Sequence, residues 1–211
     1  MTTGARKNEQ QEFWRGEFGT DYINRNSASS AELRARLTLW SRILDCIKGE
    51  EPTGILEVGS NIGNNLRALR LLSGAQIFAL EPNSEARKIL VEDNVLPQEN
   101  VFEGVADMLP FEDSSIDLVF TSGVLIHIHP NDLERSMREI HRVSGKYIVC
   151  IEYFSDKPEA IPYRGHTDKL FKRDFGGYYM DLFPELKLID YGFSWKRASG
   201  LDNLTWWVFK K

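Results

Sequence analysis

The chain has 211 residues, 42% of them hydrophobic and 27% charged, which suits one globular domain with a full core. A net charge of −5 with no basic block argues against a broad nucleic-acid footprint, leaving at most a local patch. No apolar run approaches the roughly 20 residues needed to cross a bilayer, and only two cysteines occur, Cys46 and Cys150. Both lie in apolar periodic segments, which predicts buried thiols in a reducing, cytoplasmic setting and neither a disulfide framework nor a metal site.

The opening MTTGARKNEQQEF lacks an apolar centre, so no signal segment is expected, and residues 1–10 read as a polar, frayed end. Residues 12–26 (EFWRGEFGTDYINRN) place Phe13, Trp14, Phe18 and Tyr22 among Arg15, Glu17, Asp21 and Arg25. That spacing suits an amphipathic lid hinged at Gly16 and Gly19, although a helix packed on a sheet edge would carry the same pattern. Residues 29–48 repeat apolar positions at Leu33, Leu37, Trp40, Leu44 and Ile47, with Ser29 or Ser30 as N-cap and Gly49 as the stop.

From Gly54 the pattern alternates. TGILEVG reads as a strand, IGNNLRALRLL as a helix, AQIFALE as a strand and SEARKILVEDN as a helix capped by Ser84. NVFEGVA is a short strand, SIDLVFTSG a fourth, PNDLERSMREIHRV a helix opened by Pro130, and GKYIVCIEYF a fifth strand. The tail changes character: ELKLIDYGFSW and LTWWVFKK are strand-like, joined by a turn at SGLDN with no helix between them. The expectation is a single α/β domain, a doubly wound, mainly parallel seven-stranded sheet with an antiparallel C-terminal strand. Residues 1–50 would form a helical lid or extension on the core at 54–211, and most tryptophans, including Trp195, Trp206 and Trp207, would be core.

In an open parallel sheet, ligands bind beyond the carboxyl ends of the strands. The turn after the first strand, Gly59-Ser60-Asn61-Ile62-Gly63, lacks the glycine triplet of a dinucleotide fingerprint and the Lys of a P-loop. What remains is an acid at each of three strand ends. Glu57 precedes the turn, Glu81 ends the second strand where it can accept both ribose hydroxyls, and Asp107 follows the third. Asp107 can accept from an adenine amino group while Met108 packs the base. The series describes a nucleoside site without a polyphosphate. Taken singly, each glycine serves a turn equally well, and each acid can be a solvated loop residue.

Residues 54–128 resemble the S-adenosylmethionine-binding half of class I methyltransferases, with LEVGSNIG, ALEPN, ADMLPF and IDLVF…SGVLIHI in the order of that family's motifs. The resemblance implies S-adenosyl-L-methionine as cofactor. It implies that Gly59 and Gly63 approach the methionine portion, with Glu57, Ser60 and Asn61 in the same turn. Glu81, beside Pro82, would hold the ribose, Asp107 and Met108 the adenine, and Ser122 and Gly123 the fourth motif's side. Asn61 stands where many members carry Gly, and Asn tolerates left-handed backbone better than most residues. Residues 12–26 and 159–175 (EAIPYRGHTDKLFKRDF), with GVLIHI, are similar to the methylases associated with pseudaminic acid biosynthesis. That likeness implies a small acceptor of a nucleotide-sugar or nonulosonic-acid pathway.

The lid aromatics, Trp14 and Tyr22 among them, can cover a sulfonium by cation–π attraction. His127, which follows the fourth strand at its carboxyl end, can act as a general base or be structural. A metal held by His127 and His129 is disfavoured, because alternate strand residues face opposite ways. The segment near 152–180 is the acceptor candidate. Arg164 or Arg173 can hold a carboxylate or phosphate, His166 or Tyr153 can take a proton, and Arg25, Tyr163 and Lys169 complete the predicted substrate contacts.

Overall fold

The computed structural model describes residues 9–23, 26, 28–167 and 169–211. Of the frayed end expected over residues 1–10, residues 1–8 lie outside the described residues, as does the substrate contact expected of Arg25. Glu9 and Gln10 instead open the first helix, and Gln10 is buried by its bond to the His127 carbonyl.

Two short helices come first, α1 (Glu9–Arg15) and α2 (Glu17–Ile23), parted at Gly16. Helix α3 (Ser30–Asp45) starts at Ser29, whose hydroxyl accepts the Glu32 N–H at 3.2 Å. Its stripe is rotated from the expected one. Leu39, Trp40 and Ile43 are buried, while Leu33, Leu37 and Leu44 pack at the rim. Of the expected stripe, Trp40 and Ile47 are buried as well; the Trp40 ring meets Phe120 at 4.6 Å and its indole N–H donates to Asn65 at 3.2 Å.

Then follow β1 (Gly54–Val58), α4 (Asn64–Leu72), β2 (Gln76–Leu80), α5 (Ser84–Glu92), β3 (Val101–Phe102), β4 (Ile116–Ser122), α6 (Pro130–Val143) and β5 (Ser144–Glu152). A two-stranded ribbon, β6 (Glu159–Ala160) with β7 (Phe171–Lys172), precedes α7 (Phe175–Leu182), β8 (Lys187–Ser194), α8 (Lys196–Ser199) and β9 (Leu204–Lys210). The main sheet runs β3-β2-β1-β4-β5-β9-β8. Its first five strands are parallel, and β9 is antiparallel to both β5 and β8. The expected architecture therefore holds, with the last strand inserted between β5 and the edge strand β8.

Strands β1, β4 and β5 are almost wholly apolar because both of their faces are covered. Ile55, Leu118, Phe120 and Val149 pack with α3 and α4 on one side. Leu56, Val119, Ile148 and Cys150 pack with α6 and α7 on the other.

Five local expectations change. The third strand is only Val101–Phe102; the chain turns away at Gly104, where a Cβ would sit 2.7 Å from Leu80. Helix α5 is capped by Asn83, not Ser84, because the side-chain Oδ1 of Asn83 accepts from Glu85 and Ala86 N–H at 3.0 and 3.1 Å. The short helix α8 fills the connection expected to be a plain turn. At its head Trp195 is 53% exposed, whereas Trp40, Trp206 and Trp207 are buried. Both cysteines are free thiols, and Cys46 is only half-buried. No helix among the described residues is long and apolar enough to cross a membrane.

Candidate active site

Three left-handed residues shape the turn after β1: Gly59 (φ +77°), Asn61 (φ +47°) and Gly63 (φ +75°). The Gly59 and Ser60 N–H groups both donate to the Leu80 carbonyl, at 2.7 and 3.2 Å, which ties the turn to the end of β2. The Glu81 carboxylate completes the tie. Its Oε2 accepts the Asn61 N–H at 2.8 Å and its Oε1 accepts the Asn83 N–H at 2.9 Å.

Beyond the carboxyl ends of β1, β2 and β4 these residues wall a single cavity. Glu57, Gly59, Ser60, Asn61, Glu81, Pro82, Asp107, Ser122, Gly123 and His127 face it, with Trp14 and Tyr22 from the amino-terminal helices. Gly63 does not. A Cβ on Gly63 would lie 2.5 Å from Leu90, so this glycine permits the packing of α4 on α5. Met108 also departs from expectation, because the bridge between Val105 and Met108 turns its side chain outward, 69% exposed and off the cavity wall.

Several of the wall residues carry buried polar groups. Glu57 is buried; its Oε1 accepts from Asn65 at 2.7 Å, and burial pushes its carboxyl up to about 8. Burial raises Glu81 as well, against its two backbone N–H bonds. Desolvation lowers His127 to about 4. The Lys169 carbonyl can only accept, so His127 Nδ1 donates to it at 2.8 Å and Nε2 presents a lone pair. Four buried polar atoms on cavity-lining residues have no partner among the described residues: Trp14 Nε1, Arg36 Nε, Ser60 Oγ and Glu57 Oε2.

Arg36 and the two glutamines were not foreseen. Arg36 pairs with Glu32 one turn away, which reads as a solvated helix face; its position one turn before the buried Trp40 was the available signal. Gln11 donates to Asp107 at 3.1 Å and Gln10 donates to the His127 carbonyl, so α1 closes over the third and fourth strand ends. Polar composition alone disguised both.

The predicted acceptor residues divide. His127 follows β4 at its carboxyl end, in a 3₁₀ turn (Leu125–His127), and His129 caps α6 by accepting the Asn131 N–H at 3.2 Å. Tyr163 and His166 bracket a two-residue turn with left-handed Arg164 (φ +51°) and Gly165 (φ +85°). Tyr163 lies 5.4 Å from His127, and His166 lies 5.1 Å from Phe13. Lys169 is buried with its ammonium 5.5 Å from the Phe13 ring centre. Arg164 is exposed over Tyr163, and Arg173 stacks on Tyr178 at 4.7 Å. Tyr153 opens on a separate cleft with Lys172 and Lys196. Its hydroxyl donates to Asp202 at 2.7 Å, and burial holds the phenol well above its ordinary range. Of the three expected proton acceptors, His127 alone lines the main cavity among the described residues.

Residues 56–149, under half of the chain, match the family model described as a methyltransferase domain. No curated protein matches the sequence. The fold is similar to an S-adenosylmethionine-dependent methyltransferase of Leishmania major (TM-score 0.71, 15% identity, 97% of this chain and 87% of that one). It is similar also to a Burkholderia thailandensis 1,6-didemethyltoxoflavin-N1-methyltransferase, solved with 1,6-didemethyltoxoflavin and S-adenosylhomocysteine (TM-score 0.70, 18% identity, 100% and 92%). A third is an S-adenosylmethionine-dependent methyltransferase of Aquifex aeolicus (TM-score 0.63, 15% identity, 92% and 99%). At such identities these three speak for the fold, and the domain match speaks for the chemistry. The segment from Leu56 to Val149 matches a methyltransferase domain, and the chain as a whole has the fold of solved S-adenosylmethionine-dependent methyltransferases.

Proposed function

We propose that the cavity holds S-adenosylmethionine and that the methyl group passes to a small, anionic, sugar-like acceptor of a nucleotide-sugar or nonulosonic-acid pathway. One observation carries the cofactor reading: the unpartnered buried atoms Trp14 Nε1, Arg36 Nε, Ser60 Oγ and Glu57 Oε2 belong to residues walling one cavity, and an amino-acid tail needs donors and acceptors of this kind. Arg36 and the turn at Gly59–Asn61 suit the carboxylate, Glu57 the ammonium, Glu81 the ribose and Asp107 the adenine amine. Bound there, the cofactor supplies a methyl group already activated on a sulfonium. The chain's own task is then alignment and exclusion of water, performed by Trp14, Tyr22, Gln10 and Gln11 from above. His127 Nε2, neutral at physiological pH, is the available acceptor for a hydroxyl or amine proton.

The acceptor reading draws support from a meeting of two distant stretches. Phe13 and Phe18 from the amino-terminal block pack on His166 and Tyr163 from the 159–175 block, beside His127. These are the two blocks that resemble the pseudaminic acid-associated methylases. The density of rings also favours a second reading, a flat heteroaromatic acceptor of the kind present in the Burkholderia thailandensis structure.

Calorimetry with S-adenosylmethionine, S-adenosylhomocysteine and NAD tests the cofactor assignment; binding of NAD alone would overturn it. A methyl-transfer assay over nucleotide sugars, nonulosonic acids and a toxoflavin precursor decides the acceptor. Turnover confined to the precursor would replace the first reading by the second.

A further inference from the structure

Glu152 ends β5 and is completely buried, yet it is not on the cavity wall. Its Oε1 accepts two consecutive backbone N–H groups, Val124 and Leu125, each at 3.1 Å. These amides open the turn that delivers Gly123, Val124 and His127 to the cavity. Two further contacts pass the position on. The His127 N–H donates to the Val124 carbonyl at 2.9 Å. On the other side, a Cβ on Gly59 would lie 2.6 Å from a Val124 methyl, so Val124 sits directly against the glycine turn of β1.

The rest of β5 from Tyr147 to Ile151 is buried and mostly apolar. A carboxylate at the next position carries a desolvation cost that an aliphatic residue would avoid. What an aliphatic residue cannot do is accept those two amides, which would then stand buried and unpaired.

We propose that Glu152 is a positioning residue. It braces the turn at Val124 and Leu125, and through Val124 it sets both the glycine turn and His127 in register with the cofactor. The inference rests on the cofactor reading of the cavity given above.

The test has two arms. In the ligand-free protein, amide hydrogen exchange is followed by NMR for Glu152→Ala and Glu152→Gln, with the Gly123 amide, bonded to the Ile151 carbonyl at 2.9 Å, as internal control. Glu152→Ala should speed exchange at Val124 and Leu125 by about tenfold or more relative to Gly123, and Glu152→Gln, which keeps an acceptor oxygen, should restore it. In the second arm, calorimetry with S-adenosylhomocysteine should show an affinity loss of about fivefold or more for Ala and rescue by Gln. Exchange unchanged at the two amides, exchange accelerated equally at Gly123, or unaltered affinity in Glu152→Ala would each overturn the proposal. Where Glu152→Ala does not fold, Glu152→Asp carries the test, since the shorter side chain should also release the two amides selectively; failure to do so overturns it. Wild-type protein that binds no S-adenosylhomocysteine would overturn the function proposed above, and the exchange arm would still decide the brace.

Discussion

Glu81 accepts the backbone N–H of Asn61 at 2.8 Å. The acid at the end of the second strand thus fastens the left-handed residue in the turn after the first, and two features that look independent in sequence form one unit. Its other oxygen holds Asn83, whose side-chain amide lies 3.3–3.5 Å from the carbonyls of Trp14, Arg15 and Gly16. The same chain of contacts therefore reaches the amino-terminal helices.

Asn61 at φ +47° carries a conformational cost that Gly would not. Asn61→Ala should destabilise the protein by about 1 kcal/mol, while Asn61→Gly should match or exceed the wild type. Urea unfolding measures both. A Gly variant as unstable as the Ala variant would assign the effect to the lost side chain and not to the backbone.

Gly63 should behave as a packing residue. With φ +75° and Leu90 2.5 Å from the position of a Cβ, Gly63→Ala should cost about 1–3 kcal/mol in stability. The folded fraction of that variant should bind cofactor with near wild-type affinity, as read by calorimetry. A large affinity loss without a stability loss would return Gly63 to the ligand site.

Asp107 is held between Gln11 at 3.1 Å and Arg135 at 3.7 Å. Asp107→Ala should weaken S-adenosylmethionine binding by about 1–3 kcal/mol through loss of a charge-assisted bond. Unchanged affinity removes Asp107 from the adenine side.

Glu57 stays protonated in the folded, ligand-free protein up to about pH 8, because burial disfavours its charged form. The unfolded chain releases that proton near the ordinary carboxylate value. The stabilising contribution is thus complete below the unfolded value and is lost as pH rises through the folded one. Glu152, pushed up to about 7, and Glu81, raised, act in the same direction. The melting temperature of the ligand-free protein should fall between about pH 5 and pH 9, and Glu57→Gln should flatten that fall. A wild-type profile that rises across this window would contradict the assignment.

His127, lowered to about 4 by desolvation, should remain neutral down to about pH 5. Its ring signals in an NMR titration should stay still between about pH 6 and pH 8. Movement through this range would mean that solvent reaches the ring.

Much of the fold was legible because it rests on local chemistry. Apolar runs at Gly54–Val58, Ile116–Ser122 and Ser144–Glu152 declare strands covered on both faces, and Pro130 opens its helix as a first-turn proline should. The acids Glu57 and Glu81 fall at strand ends by chain order alone, and Asp107 in the loop after the short third strand, which is why the cavity wall could be drawn in outline. Met108 and Gly63 lie off the cavity wall because their neighbours in space, not in sequence, decide where they face. The same holds for Tyr153, whose hydroxyl finds Asp202 on a distant loop.

The sequence by itself determined the alternation of strands and helices, the missing glycine triplet and the three acids, since each depends on residues close along the chain. The tertiary structure decided which groups share the cavity. It brought Arg36, Gln10 and Gln11 onto strand ends far away in sequence, turned Gly63 toward α5, and buried Glu152 beneath Val124. Periodicity specifies which face of an element is apolar. Only packing specifies which polar atoms are stripped of water, and burial is what raises Glu57 and lowers His127.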